Sequence, residues 1–356
     1  MIEDKIAKCI LTVGPEYADP KGGVAQCLQT YECCVFPKMK ILTNSCNGNV
    51  ARKSIKFLTS ILKFIIICFK DEEIRIVHIH SASYNSFRRA SVFVYLSRLL
   101  KKRIVLHIHG GGFKDFYKHN VRLVDQSFSK CSAIVALSPS WKFYFQNEVG
   151  LEHVWVIPNV IDVPTIVNYN KDGLFHLLYL GHINKSKGVF DLVEMLCENK
   201  DEYIGKLVLD IGGGMYDSCR LFNYIECNRL DALIRFHGWV SGDKKVELFN
   251  TADAFILPSY VEGVPISILE AESYGLPIIS TYVGGIPEIV SDTENGFLFE
   301  PGDRISMKQK IDLILGDPVL RKQMSESSKE RSIKYMPTEV AARLTELYSS
   351  LLKKSL

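Results

Sequence analysis

Residues 260–288 read Y-V-E-G-V-P-I-S-I-L-E-A-E-S-Y-G-L-P-I-I-S-T-Y-V-G-G-I-P-E. The apolar run Ala254-Phe255-Ile256-Leu257-Pro258 leads into this stretch and reads as a buried strand. Glu262 and Gly263 make a turn, and Pro265 fits the first position of a helix, where no backbone donor is needed. The helix is predicted to run to about Tyr274, with Gly275 as its cap and Pro277 beyond it. A second buried strand, 277–280, follows. The loop Gly284-Gly285-Ile286-Pro287-Glu288 comes next, with Pro287 opening another helix.

This order is strand, loop, helix, strand, loop, helix. Both glycine-bearing turns belong at the carboxyl edge of a parallel sheet, where α/β proteins bind ligands. Helix amino-termini there suit phosphates. Glu262 sits in the loop and Glu270 two turns into the helix. A carboxylate accepts two hydroxyls well, so a sugar or a ribose diol is a natural partner. The same spacing also fits a surface acid and a helix-face acid on an ordinary α/β unit.

The chain has 356 residues, which fits two domains of ordinary size. It is 47% hydrophobic and 23% charged, as soluble globular proteins are. A net charge of +3 is too small to argue for nucleic acid. The ten cysteines include no C-x-x-C pair, so neither a zinc knuckle nor a redox motif is indicated. Free thiols in a reducing cytoplasm are the expectation. The first residues, M-I-E-D-K-I-A-K, lack a signal-peptide core, and no apolar run is long enough to span a bilayer.

Glu262 and Glu270, followed by G-G-I-P-E, resemble the nucleotide-sugar site of retaining glycosyltransferases of the GT-B fold, glycosyltransferase family 4. The resemblance covers nearly the whole chain and is strongest over 177–299. It implies an α/β protein of two facing Rossmann-like domains, with a C-terminal helix crossing back onto the first. The expected boundaries are 1–162 for an acceptor-side domain, 163–173 for a linker, 174–336 for a nucleotide-sugar domain, and 337–356 for the returning helix.

In the first half, strands are expected at 9–13, 39–43, 75–80, 103–109, 133–137 and 155–157. Gly22-Gly23 precedes a helix and matches the family's glycine-rich loop beside the donor. The helix 54–70 carries Lys56, Lys63 and Lys70, which make it amphipathic and basic. It reads either as a helix packed on the sheet or as an edge touching anionic membrane. The strands 75–80 and 103–109 both end in H-I-H, so His78 and His80 share a face, as do His107 and His109. No acid or cysteine completes a metal spacing, and no metal is expected. By resemblance His109 lies beside the donor sugar, with Gly110 and Gly111 leaving room for substrate. Ser138 should cap a helix that starts at Pro139. Pro158-Asn159-Val160-Ile161-Asp162 is similar to a family turn, with valine where glycine is usual.

In the second half, strands are expected at 177–180, 207–211, 234–236 and 297–299, and closing helices at 306–315, 318–336 and 338–352, the last capped by Thr338. After the first strand comes G-H-I-N-K-S-K-G. Gly181, Lys187 and Gly188 match the family, but His182 stands where arginine is usual. Histidine makes a single bond and carries charge only when protonated. Gly212-Gly213-Gly214 and His237-Gly238-Trp239 are family-like turns near the nucleotide.

The resemblance implies sugar transfer with retention, from a nucleotide-diphosphate-sugar to a saccharide or lipid-linked acceptor in cell-surface polysaccharide synthesis. The setting is the cytoplasm or the inner face of the membrane. His109, Lys187 and Glu262 carry the chemistry; Gly22, Gly23, His182, Gly263, Val264, Glu270, Gly284 and Gly285 hold the donor. No D-x-D occurs, so no metal or other cofactor is expected. Lys187, His182 and the amides around Gly284 and Gly285 would meet the leaving charge. A metal-dependent hydrolase using the H-x-H pairs, a sugar-nucleotide binding module and an epimerase of the same fold are the rival readings.

Overall fold

The computed structural model describes residues 1–18, 22–169, 172–214 and 217–353. The chain divides into two compact units, Met1–Asp162 with Lys334–Leu356, and Val163–Ile333. Each is built on six strands, every neighbouring pair parallel.

The first unit contains β1 (Ile10–Gly14), β2 (Ile41–Thr43), β3 (Ile76–Ser81), β4 (Arg103–Ile108), β5 (Ala133–Ala136) and β6 (Val154–Val156), in the order β2-β1-β3-β4-β5-β6. Each expected strand appears, shifted by one or two residues at its ends. Side chains alternate across a strand. Val77 and Ile79 of β3 join a large apolar cluster with Ile104 and Leu106 of β4, and His78, His80 and His107 take the opposite face. Tyr31, at the start of a π-helical turn (Tyr31–Val35), stands edge-on to His80 at 5.4 Å. The closing helix Pro337–Lys353 supplies Tyr348, whose hydroxyl lies 2.6 Å from His78 Nδ1. That helix starts at Pro337, with Met336 O accepting its first bonds, so Thr338 is inside it and not its cap. Proline's fixed φ suits the first helical position.

The second unit contains β7 (Phe175–Leu180), β8 (Leu207–Gly212), β9 (Ile234–Gly238), β10 (Ala254–Leu257), β11 (Ile278–Thr281) and β12 (Gly296–Phe299), in the order β12-β11-β10-β7-β8-β9. The chain winds outward from β7 to β9, then returns to the other side of β7 with β10. The strand order therefore reverses between β7 and β10, and such a reversal is where an open parallel sheet leaves a crevice. The stretch 163–169 lies along this unit: Asn250 accepts from the Val167 N–H and donates to Thr165 O. Residues 170 and 171, in the expected linker, and 354–356, in the expected final helix, fall outside the described residues.

The buried histidines make stability depend on pH. Burial, the largest cause, pushes His78, His80 and His107 well below the usual imidazole value and His109 down to about 4. All four are neutral in the folded chain, whereas unfolded imidazoles take up protons near pH 6.5. Their contribution is therefore complete above about pH 6.5 and is lost as pH falls, by about 1.4 kcal/mol per pH unit for each group. His176 in the second unit is raised by its bond to Asp210 and works in the opposite direction. The melting temperature is expected to fall steadily from pH 7 to pH 5, with a shallower slope for His109→Gln. A pH-independent melting temperature would contradict this.

Candidate active site

The loops after β7 and β10 meet at the reversal point of the second sheet. After β7, a short 3-10 turn (Lys185–Lys187) is fixed by Asn184, whose side chain accepts from the Lys187 N–H at 3.1 Å. Gly188 then has φ +66°, and a Cβ there would lie 1.9 Å from Pro258 O. Only glycine allows that approach. The Tyr260 N–H donates to Ser186 O at 2.8 Å and joins the two loops.

That clamp carries Lys187 to Glu262. Lys187 Nζ donates to Glu262 Oε1 at 2.5 Å, and the Ser259 hydroxyl donates to the same oxygen at 2.9 Å. Glu262 is 9% exposed. A lysine and a carboxylate held this way form a polar pair at the mouth of the sheet, each able to turn to a ligand of opposite need: anionic oxygens for the lysine, hydroxyls for the glutamate.

The third loop closes on the second. Gly284 has φ +56°, and a Cβ there would sit 2.0 Å from Glu262 O. The Gly285 N–H donates to Gly263 O at 2.6 Å. Of the amides expected around Gly284 and Gly285, that of Gly285 is used by the bond that clasps the two turns. Among the described residues the Gly284 N–H makes no hydrogen bond. Val264 is buried beside Gly285, and Pro265 precedes the helix Ile266–Ser273 instead of opening it, because its ψ of 121° is extended. Gly275 caps that helix at φ +76° as expected.

Glu270 is 7% exposed and accepts from Lys245 Nζ at 2.6 Å. Lys245 was not legible as a partner, since it comes from a different helix, Gly242–Thr251. His182 stacks on Trp239, with ring centroids 5.7 Å apart. Burial first, and Lys187 second, push its pKa below the usual value. Burial and the nearby lysine thus favour the neutral ring in the free chain, the side of the balance that opposes a charged phosphate ligand. Trp239, from the turn His237-Gly238-Trp239 noted in the sequence, is exposed beside Gly214 and offers an aromatic platform.

The first unit holds the remaining expected residues. Gly22 has an extended φ of 169°, and a Cβ there meets nothing within 4 Å; Gly23 begins the helix Gly23–Thr30. The described structure does not require glycine at Gly22, and residues 19–21 just before it are not described. His109 follows β4. Its Nδ1 lies 3.0 Å from Asn159 Oδ1 and its Nε2 2.9 Å from His80 Nδ1. With Asn159 as acceptor, His109 carries its proton on Nδ1 and accepts from His80. Both ring nitrogens are engaged, which the sequence reading did not anticipate. A Cβ on Gly110 would lie 2.6 Å from Ser83 N, so the chain itself packs against that side of Gly110. Tyr84 next to it has φ +55°, a strained value for a tyrosine, and is half-exposed. His78, His80 and His107 bring ligand-capable nitrogens within 4.8 Å of one another. Tetrahedral zinc needs nitrogens about 3.3 Å apart. Among the described residues no carboxylate or thiol joins the group.

Gly284→Ala is expected to disrupt this site more than the fold. The added methyl meets the Glu262 carbonyl at a positive φ, so nucleoside diphosphate affinity should drop at least tenfold while the circular dichroism spectrum is kept. Unchanged affinity would show that the clasp is dispensable.

Two family descriptions match the chain: Glycosyl transferases group 1 over residues 167–331 and Glycosyltransferase Family 4 over residues 46–164. A glycogen synthase of Mycobacterium tuberculosis is 27% identical over 185 residues, 51% of this chain and 44% of that enzyme. The chain thus spans less than half the length of that relative. The Escherichia coli UDP-Gal:alpha-D-GlcNAc-diphosphoundecaprenol alpha-1,3-galactosyltransferase is 28% identical over 291 residues, 75% of this chain and 72% of that enzyme. Among solved structures, Anabaena Alr3699/HepE in complex with UDP superposes with a TM-score of 0.76 at 18% identity, covering 96% of this chain and 99% of that one. With its two parallel six-stranded sheets and a lysine–glutamate pair at the switch point of the second, the chain has the GT-B fold and belongs to glycosyltransferase family 4.

Proposed function

We propose that this chain is a retaining glycosyltransferase that moves a sugar from a nucleotide-diphosphate-sugar to a saccharide or lipid-linked acceptor. The observation that carries this reading is Lys187 Nζ on Glu262 Oε1 where the strand order reverses. In the free chain each partner satisfies the other. A donor replaces that pairing with two better ones: Lys187 turns to the diphosphate, and Glu262, still held by Ser259, accepts hydroxyls of the sugar. Gly263 and Val264 line the sugar side. The bond from the anomeric carbon to the diphosphate oxygen breaks, the electron pair leaves with the nucleotide, and the acceptor oxygen bonds the same face while its proton passes to the departing diphosphate oxygen. Lys187 and the Gly284 amide meet the departing charge, so transfer needs no metal. Glu270 takes the ribose diol in exchange with Lys245, and the base lies near Trp239.

The setting proposed is cell-surface polysaccharide synthesis in the cytoplasm, with peripheral contact at anionic membrane. Two relatives support it in part: the E. coli enzyme above and a Campylobacter jejuni enzyme, both named for diphospho-undecaprenol-linked acceptors. Among the described residues no helix is long and apolar enough to cross a membrane. His109 is proposed to bond the reacting sugar, exchanging one of its two present bonds to do so.

The two glutamates separate in their effects. Glu270→Ala is expected to weaken free nucleoside diphosphate by about 1.5–3 kcal/mol, the worth of hydrogen bonds to a charged group. Glu262→Gln is expected to leave that affinity nearly constant and to cut transfer. Calorimetry and turnover on both folded variants check the assignment, and equal losses in both would reverse it.

For His182, a neutral ring predicts pH–rate profiles from pH 6.5 to 8.5 that superpose for the natural chain and His182→Gln, while Lys187→Ala is severely impaired at every pH. An alkaline fall present in the natural chain alone would mean the ring titrates.

The decisive experiment offers UDP-, GDP- and ADP-sugars, follows thermal stabilisation and nucleoside diphosphate release, and reads the product's anomeric configuration by NMR. A donor that stabilises the chain and is turned over with retention, in protein that metal analysis shows to be metal-free, is the expected result. Binding without release would make it a binding module, and activity dependent on a bound metal would favour hydrolase chemistry at the histidines.

A further inference from the structure

The helix Val50–Lys70 has three faces where a helix packed on a sheet needs two. It is capped by Asn49, whose side chain accepts from the Arg52 N–H at 2.9 Å. One face buries Ser60, Phe64 and Cys68, and Phe57, Ile61 and Ile67 pack against the same apolar cluster. At about 100° per residue, the opposite arc of about 80° holds Ile55, Leu58, Leu62, Ile66 and Phe69. These five are 51–69% exposed. Arg52, Lys56, Lys63 and Lys70 fall in a third arc of about 40° alongside the apolar one. The helix contains no acidic residue.

Single exposed leucines need no explanation, but an unbroken stripe of five large apolar side chains along a 21-residue helix does. Water is a poor solvent for that stripe. The basic row identifies what covers it. A second copy meeting this face with the two helices antiparallel would set basic row near basic row, which repels, and in either orientation the helix offers no acidic residue to answer the row. An anionic bilayer accepts both features at once: acyl chains take the stripe and headgroups take the lysines.

We propose that this helix lies flat in the interface of an anionic membrane, with Ile55, Leu58, Leu62, Ile66 and Phe69 inserted about 5–10 Å into the headgroup boundary. This rests on the peripheral membrane contact proposed above and deepens it. Charge attracts the chain from a distance, and the apolar stripe holds it. An acceptor on a lipid carrier would then be presented to the first unit at the surface where it resides.

The test is flotation of the full chain with vesicles of phosphatidylglycerol and phosphatidylcholine, at low salt and at 1 M salt, where the screening length is about 3 Å. The natural chain is expected to bind at low salt and to keep a bound fraction at 1 M. Leu58→Asn with Leu62→Asn is expected to bind at least tenfold more weakly at both salts; both sites are exposed, so the fold is not at stake. Lys56→Gln with Lys63→Gln and Lys70→Gln is expected to lose binding mainly at low salt. If the leucine variant binds like the natural chain and 1 M salt strips both, insertion is wrong and contact by charge stands. If the natural chain binds no vesicles, both readings fall. If sedimentation instead finds a dimer that the leucine variant abolishes, without vesicle binding, a second copy covers the stripe and the proposal is overturned.

Discussion

A lysine after β7 and a glutamate after β10 are pressed together because two loops are clamped at the point where the sheet changes winding direction. The clamp is backbone: Tyr260 N–H to Ser186 O, and Gly188 packed on the Pro258 carbonyl. Glu262 is nearly buried, so it is tolerable only while its charge is answered. Lys187 and the Ser259 hydroxyl answer it in the free chain. Removing either charged partner strands the other, which keeps the pair together until a ligand offers something better. The third loop adds rigidity, since Gly284 has room for nothing larger than hydrogen against Glu262 O and the Gly285 N–H is spent on Gly263 O.

The two units treat polar groups differently. In the second, charges face the loops at the strand ends. In the first, four histidines form a row, buried at one end and half-exposed at His109, with ring centroids 4.1–5.5 Å apart. Several ring nitrogens have no partner within that row. A buried imidazole is affordable only when neutral, so this arrangement ties the unit's stability to pH above the imidazole range. The row also ties distant chain segments together: Tyr348 from the last helix bonds His78, and Asn159 bonds His109.

The second unit has a further polar network that no sequence pattern announced. His176 and His237 both bond Asp210, and His176 also meets Asp172, which in turn meets Arg235. These residues come from β7, β8, β9 and the segment before β7. Their meeting depends on strand register: His176 pairs with Val208 and Asp210 with Arg235. One-residue slips would send the side chains to opposite faces.

By itself the sequence determined the local units. Apolar runs with glycine and proline at their ends marked the strands, because burial on both faces of a parallel strand demands continuous apolar side chains. Glycines at positive φ marked the turns, and the motif G-G-I-P-E with its two upstream glutamates marked the family. Ser138 was legible as a cap because its hydroxyl acts three residues away. What the sequence left undecided was set by groups far apart in the chain. Lys245 against Glu270, His80 against His109, Trp239 against His182, and the use of the Gly285 amide within the fold all follow from strand order and loop contact. So does the fate of Ile55, Leu58, Leu62, Ile66 and Phe69. Helical periodicity shows which residues share a face, and only tertiary packing decides which face the core takes and which is left to the solvent or a membrane.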